Sequence, residues 1–177
     1  IALKIINPIK KTIINQNLIN TKNADTMFRM RKEKAPRTQI KIEYLKNIKY
    51  RIYIEIFNNE LYEKLKYSLE NHISFYTCSL GLSENLANFE YVGEYNYEIK
   101  KGNAKIDSVI NLEEIDNKNI SIDIEKEYFT DRFSLEMKED REVIKYGDIL
   151  FERNGEEIEI KNNNYIEIET GENILWY

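Results

Sequence analysis

Cysteine is nearly absent: Cys78 is the only one in 177 residues. A lone thiol excludes a disulfide framework and a thiolate metal site, and it fits a reducing compartment. Histidine is as scarce, with His72 alone, and one His plus one Cys do not make a zinc site. Proline (two) and glycine (six) are few. No apolar run approaches the roughly 20 residues of a membrane-spanning helix, and no secretory leader pattern is present. Gly-rich phosphate loops and Gly-x-Ser-x-Gly elbows are missing too, which removes the commonest nucleotide-binding and hydrolase signatures. The expected setting is cytoplasmic, with no membrane partner, no small-molecule substrate, no cofactor and no metal. The first residue is Ile1 rather than Met, so the sequence reads as a fragment or a trimmed chain.

What is present is the composition of a folded protein: 42% hydrophobic, 12% aromatic, thirteen Tyr. The length suits one domain or two small ones. The net charge of −5 conceals a division. Residues 1–49 hold twelve Lys and Arg against three acids, Asp25, Glu33 and Glu43; residues 50–177 hold fourteen against twenty-eight. Such asymmetry points to a polyanion facing one end, or to basic and acidic halves that complement each other across an interface.

Alternation and turn residues outline the elements. Ala2 to Ile6 reads as a strand closed by Asn7-Pro8, and Thr12 to Ile19 as a second. Residues 37–45 resume a strand, with Ile40, Ile42 and Tyr44 on one face. Together these form a long hairpin arm with a tip of about seventeen residues, a length that is usually functional or disordered. Ile48, Tyr50, Ile52, Ile54 and Ile56 alternate with Lys49, Arg51, Tyr53 and Glu55, which predicts a strand with one buried face. Asn58-Asn59 supplies an N-cap for a helix over 60–71, with Leu61, Leu65 and Leu69 on one side and Glu60 placed to pair with Lys64. Phe75 to Thr77 and Phe89 to Tyr97 read as strands flanking a turn at Leu80-Gly81-Leu82, where Ser83 is placed to cap a helical turn. From Asn103 onward only strands are expected: 106–110, 120–124, 129–135, 143–151, 158–160 and 165–168. The turns between them fall at Lys101-Gly102-Asn103, Asp116 to Asn119, Arg153-Asn154-Gly155 and Thr170-Gly171. Asn154-Gly155 is a hairpin signal.

The arm carries the chemistry. Lys22, Arg29, Arg31, Lys32, Lys34 and Arg37 lie close together, interleaved with Met27, Phe28 and Met30. Cations neutralise phosphates, and an aromatic ring or a thioether can lie against an unstacked base. The same residues also suit a solvated loop docking on a neighbouring protein. His72 falls at the expected helix C-terminus, where an imidazolium complements the helix dipole; general acid–base cleavage of RNA would need a second group beside it. Acidic pairs such as Glu113-Glu114 and Glu156-Glu157 point apart on a strand and read as a solvated surface.

Residues 36–45 (Pro-Arg-Thr-Gln-Ile-Lys-Ile-Glu-Tyr-Leu) and 75–93 (through Leu-Gly-Leu-Ser-Glu-Asn-Leu-Ala-Asn-Phe to Tyr-Val-Gly) resemble the Cas-five family of CRISPR-associated proteins, subtype I-B most of all. Pro8 to Lys11, Asn17 to Thr21 and Tyr146 to Glu152 fit the same frame. The resemblance implies an α+β chain. Residues 1–98 would form an incomplete ferredoxin-like RNA-binding domain with a β-hairpin thumb at 12–46, and residues 99–177 a small antiparallel β-rich domain. It implies a non-catalytic subunit of a type I surveillance (Cascade) complex that caps the 5′ handle of crRNA and touches the backbone and large subunits. The RNA-binding residues would be Lys22, Phe28, Arg29, Met30, Arg31, Lys32, Lys34 and Arg37. The family's first strand and helix, which precede the position of Ile1, are missing, and Cys78 and Lys41 stand where members often carry proline. Subtype I-C members cut RNA with Tyr, Lys and His, but His72 follows Asn71, so their Lys-His pair is absent. The alternatives are a metal-independent endoribonuclease using His72 and a protein-interaction module with no RNA role.

Overall fold

A computed structural model describes residues 1–19 and 37–177. The described residues are mostly antiparallel β-sheet with one short α-helix among them. β1 (Ala2–Ile5) pairs with β4 (Tyr50–Tyr53), Ala2 opposite Tyr53. Between them run β2 (Lys10–Ile19) and β3 (Arg37–Lys46), which among the described residues pair only with each other. Helix α1 (Asn59–Glu70) follows. β5 (Tyr97–Ile106), β6 (Ile110–Asn111), a 3-10 turn (Asn117–Asn119), β7 (Ile120–Ser121), β8 (Tyr128–Met137), β9 (Val143–Glu152), β10 (Ile158–Ile168) and β11 (Asn173–Ile174) complete the order. β10 is central to one sheet, with β5 along one edge and β7 and β11 at two ends of the other. A second sheet has the order β6-β9-β8.

Isoleucine builds the interior, as β-branched side chains suit a pleated, covered surface. Ile106, Ile110, Ile115, Leu150, Ile158 and Ile160 form the largest buried cluster. A second gathers Ala2 with Ile166, Ile168 and Ile174, and a third joins Ile5 to Val109 and Ile149. β1 therefore supplies the first residues of two cores otherwise drawn from beyond residue 100. Backbone bonds reinforce this: Val109 N–H donates to the Leu3 carbonyl at 2.8 Å, and Tyr177 N–H to that of Ile1 at 3.0 Å.

Several predicted elements take a different form. The alternation over 48–56 yields a ladder of only four residues, and Ile52 and Ile54 are 58% and 47% exposed. Among the described residues β4 has a single neighbour, the four-residue β1, so pairing stops where β1 stops. Alternation says which side chains share a face, whereas the covered face depends on what packs there. Phe75 to Thr77 and Phe89 to Asn96 are not strands; the pairing in this stretch is one isolated bridge, Ser79 to Leu86. Phe75 is 91% exposed. Ser83 caps no helix but lies in a tight turn closed by Asn85 N–H on the Leu82 carbonyl, 2.9 Å.

Lys101-Gly102-Asn103, predicted as a turn, lies inside β5, opposite a register shift between Ile160 and Asn163 of β10. Gly102 has φ +154° there, and Asn103 Oδ1 accepts from Asn162 N–H at 3.0 Å. Glycine here serves a bulge rather than a chain reversal, so the predicted strands 158–160 and 165–168 are one strand. Asn154-Gly155 does form a turn, but β9 and β10 enter different sheets instead of pairing. The turn is organised by Glu152, a carboxylate 2% exposed that accepts N–H bonds from Asn154 (2.7 Å) and Glu156 (2.9 Å).

The helix forms where its N-cap predicts. Asn58 Oδ1 accepts from Leu61 N–H at 3.0 Å. At the other end Ile73 N–H bonds the Ser68 carbonyl (2.8 Å) and His72 N–H that of Leu69 (3.3 Å), the paired bonds of a Schellman cap. His72 takes the left-handed position, φ +53°, that glycine usually fills. No residue of α1 is buried. It is tied to the segment that precedes β5 through Glu94, which accepts from Tyr62 and from Lys66 Nζ at 2.6 Å.

Candidate nucleic-acid interface

The arm is a ten-by-ten antiparallel ladder, Lys10 opposite Lys46 at its root and Ile19 opposite Arg37 at its far end. It begins two residues earlier and ends one residue later than the sequence pattern indicates. A two-stranded ribbon standing alone is marginal in water, and here no described residue covers either face. One face carries Lys10, Thr12, Ile14, Gln16 and Leu18 beside Thr38, Ile40, Ile42, Tyr44 and Lys46. The other carries Lys11, Ile13, Asn15, Asn17 and Ile19 beside Arg37, Gln39, Lys41, Glu43 and Leu45. Ile13, Ile14, Leu18, Ile19, Ile40 and Leu45 are all exposed. On the first face Tyr44 is half-buried, and its hydroxyl oxygen accepts from Gln16 Nε2 at 2.5 Å, which holds the ring in place.

Charge on the arm is one-sided. The two strands hold Lys10, Lys11, Arg37, Lys41 and Lys46 against a single acid, Glu43, which pairs with Lys11 at 3.2 Å. Of the predicted site residues, Arg37 is the first of β3 and exposed. Lys22, Phe28, Arg29, Met30, Arg31, Lys32 and Lys34 lie outside the described residues. The strand cations Lys10, Lys11, Lys41 and Lys46 were not singled out from sequence. Their signal was positional: spread through two strand patterns, they become a set only once the register brings the strands together.

The other concentration of charge is a clasp between the chain's two ends. Lys4 Nζ lies 2.7 Å from both Asp107 Oδ1 and Glu172 Oε1. Glu172 also accepts from Arg51 Nη1 (3.1 and 3.0 Å), the Tyr53 hydroxyl (3.0 Å) and Thr170 Oγ1 (3.1 Å). Burial by itself would raise the Glu172 carboxyl, but the hydrogen bonds from Lys4 and Tyr53 outweigh it and hold the group below its usual range. Burial would likewise lower Lys4, and its bonds to Asp107 and Glu172 raise it instead. Loss of water, more than the neighbouring carboxylate, pushes Tyr53 up to about 12. Each side chain named here has at least one partner, so the arrangement fastens β1 and β4 to the β10–β11 turn.

His72 stacks on Phe89, ring centroids 5.1 Å apart at 22°. Stacking and the Schellman cap together account for its position. Among the described residues no group of three or more His, Cys, Asp or Glu side chains is placed to hold a metal ion, and no helix is long and apolar enough to cross a membrane. No family model, curated protein or solved structure matches the chain.

Proposed function

We propose that this chain is a structural RNA-binding subunit of a type I CRISPR surveillance complex, with the β2–β3 arm as its thumb. One observation carries the reading. A ribbon of two strands stands apart from an acidic body, bears five cations against one acid, and has neither face covered by the described residues. A polyanion neutralises the cations, and assembly with RNA and neighbouring subunits covers the apolar side chains that water alone does not favour.

In this reading the chain is an incomplete ferredoxin-like domain followed by a β-rich one. The 5′ handle of crRNA lies along the arm, with Lys22, Arg29, Arg31, Lys32, Lys34 and Arg37 on phosphates and Phe28 or Met30 beside bases. Sequence is read by the guide's own base pairing, as in other RNA-guided systems. The backbone and large subunits of the complex are the protein partners. No catalytic residue is assigned.

The test is a titration of the chain with a single-stranded RNA handle at several salt concentrations. Each phosphate contact contributes roughly 0.7 to the slope of log affinity against log salt. Replacing Arg29, Arg31, Lys32, Lys34 and Arg37 together by Ala weakens binding and flattens that slope. An unchanged slope in the fivefold variant removes the tip from the interface. Cleavage of the RNA in EDTA by the wild type, abolished in His72→Ala, replaces the reading with an endoribonuclease.

A further inference from the structure

At the root of the arm, Lys10 and Lys46 occupy directly opposed positions of the ladder and so project from the same face. Like charges directly opposite weaken a ladder unless something of opposite sign lies between them. Here nothing in the described protein does so. Neither lysine has an ion pair among the described residues, and their face of the arm carries no carboxylate along its ten positions. Glu43, the arm's one acid in these strands, is on the other face and engaged by Lys11.

The two lysines line a depression of about 180 Å³ together with Asn7, Pro8 and Asn47. Its floor is fixed. Asn7 Nδ2 donates to the Asn47 carbonyl at 2.9 Å, and the N–H groups of Ile6 and Asn7 both donate to the Lys49 carbonyl, at 2.9 and 3.3 Å. Ile9 is clasped from the body: its N–H donates to the Arg153 carbonyl (2.8 Å), and Arg153 Nε donates to the Ile9 carbonyl (3.1 Å). Asn47 holds the left-handed turn, φ +53°, that aims β3 away from β4. Two lysines, a prearranged floor and no counter-charge among the described residues make a binding site for one oxyanion, because the cost of bringing the cations together is already met by the fold.

We infer that Lys10 and Lys46 hold a phosphate group at the root of the arm, supplied by the backbone of the single-stranded RNA in the proposed function. The inference rests on that reading for the source of the phosphate, though not for the site. Tyr44, two positions along β3 on the same face, offers a half-buried ring beside it. Cation and aromatic in succession is the arrangement by which single strands are held without base readout.

The experiment has two arms. In the first, thermal unfolding of the whole chain is compared in sodium phosphate and in sodium chloride at equal ionic strength and pH. The wild type melts higher in phosphate, Lys10→Gln and Lys46→Gln each lose the difference, and Lys11→Gln on the opposite face retains it. In the second, the Lys10→Gln/Lys46→Gln variant loses about 0.7 from the salt slope of single-stranded RNA binding, the value of one phosphate contact. Equal melting of the wild type in the two salts, with an unchanged slope in the double variant, overturns the site. The RNA reading then stands or falls separately on the tip variant. A phosphate effect lost in both lysine variants, in a wild type that binds no RNA, keeps the oxyanion site and overturns RNA as its source, inorganic phosphate being then the ligand.

Discussion

Replacing Gly155 or Gly171 by Ala separates two costs that usually arrive together. Both glycines sit in turns with left-handed backbone, φ +77° and +86°. An L-residue in that region costs about 1–2 kcal/mol, so Gly171→Ala, whose new Cβ meets nothing within 4 Å, loses that much and no more. At Gly155 the Cβ would lie 2.3 Å from the Ile5 carbonyl oxygen and 3.1 Å from its carbon. The obstacle is backbone, which cannot swing aside as a side-chain tip can. Ile5 is held by its own buried cluster and by pairing with Tyr50, so the turn or β1 must shift. Forced overpacking of this kind adds about 1–3 kcal/mol. With a urea m-value of about 2 kcal/mol/M, the unfolding midpoint of Gly155→Ala falls about 0.5–1.5 M below that of Gly171→Ala. The damage is also local. In native-state hydrogen exchange the Val109 amide, bonded to Leu3, exchanges faster in Gly155→Ala than in Gly171→Ala. Equal midpoints would mean that the turn does not press on β1, and that β1 is not held to the C-terminal sheets as described.

Glu172→Gln removes the charge that two cations share and costs about 1–3 kcal/mol at neutral pH. Because the native carboxyl is held below its ordinary 4.5, its contribution is present above that pH and lost as pH falls through the lower native value. The gap between urea midpoints at pH 7 and pH 3 is therefore smaller in Glu172→Gln than in the wild type, and an undiminished gap refutes the role given to the clasp. For His72, the comparison is between Gly and Ala, since both delete the stack on Phe89. Gly is the more stable by roughly 1 kcal/mol if the residue holds the left-handed cap position, and equal thermal stability of the two variants would remove His72 from that position.

Local features were legible where their cause is local. Asn58 marks the helix start because its side chain reaches Leu61 N–H, and the arm's alternation marks β2 and β3 because adjacent side chains must point to opposite faces. β8 and β9 were read to within two residues for the same reason. Misreadings fall where a distant partner decides. Gly102 looks like a turn until β10 supplies the bulge opposite it. Asn154-Gly155 looks like a hairpin until β9 and β10 are seen to join different sheets. Phe75 and Phe89 look like strand residues, yet no strand accepts them. In the candidate interface, the division of charge was visible in the one-dimensional string, while the opposition of Lys10 and Lys46 required the register.

By itself, then, the sequence determined the β-rich character, the helix and its N-cap, the existence of the arm and the concentration of positive charge on it. These follow from propensity, period and composition, which act over a few residues. Tertiary structure decided that β1 belongs to the cores of the C-terminal sheets, that Glu172 ties the two ends of the chain together, that Ile52 and Ile54 stay uncovered, and that two lysines thirty-six positions apart share one depression. Each of these depends on which distant segment arrives beside a given strand. That choice is made by the summed burial and pairing of the whole chain, not by any window of it.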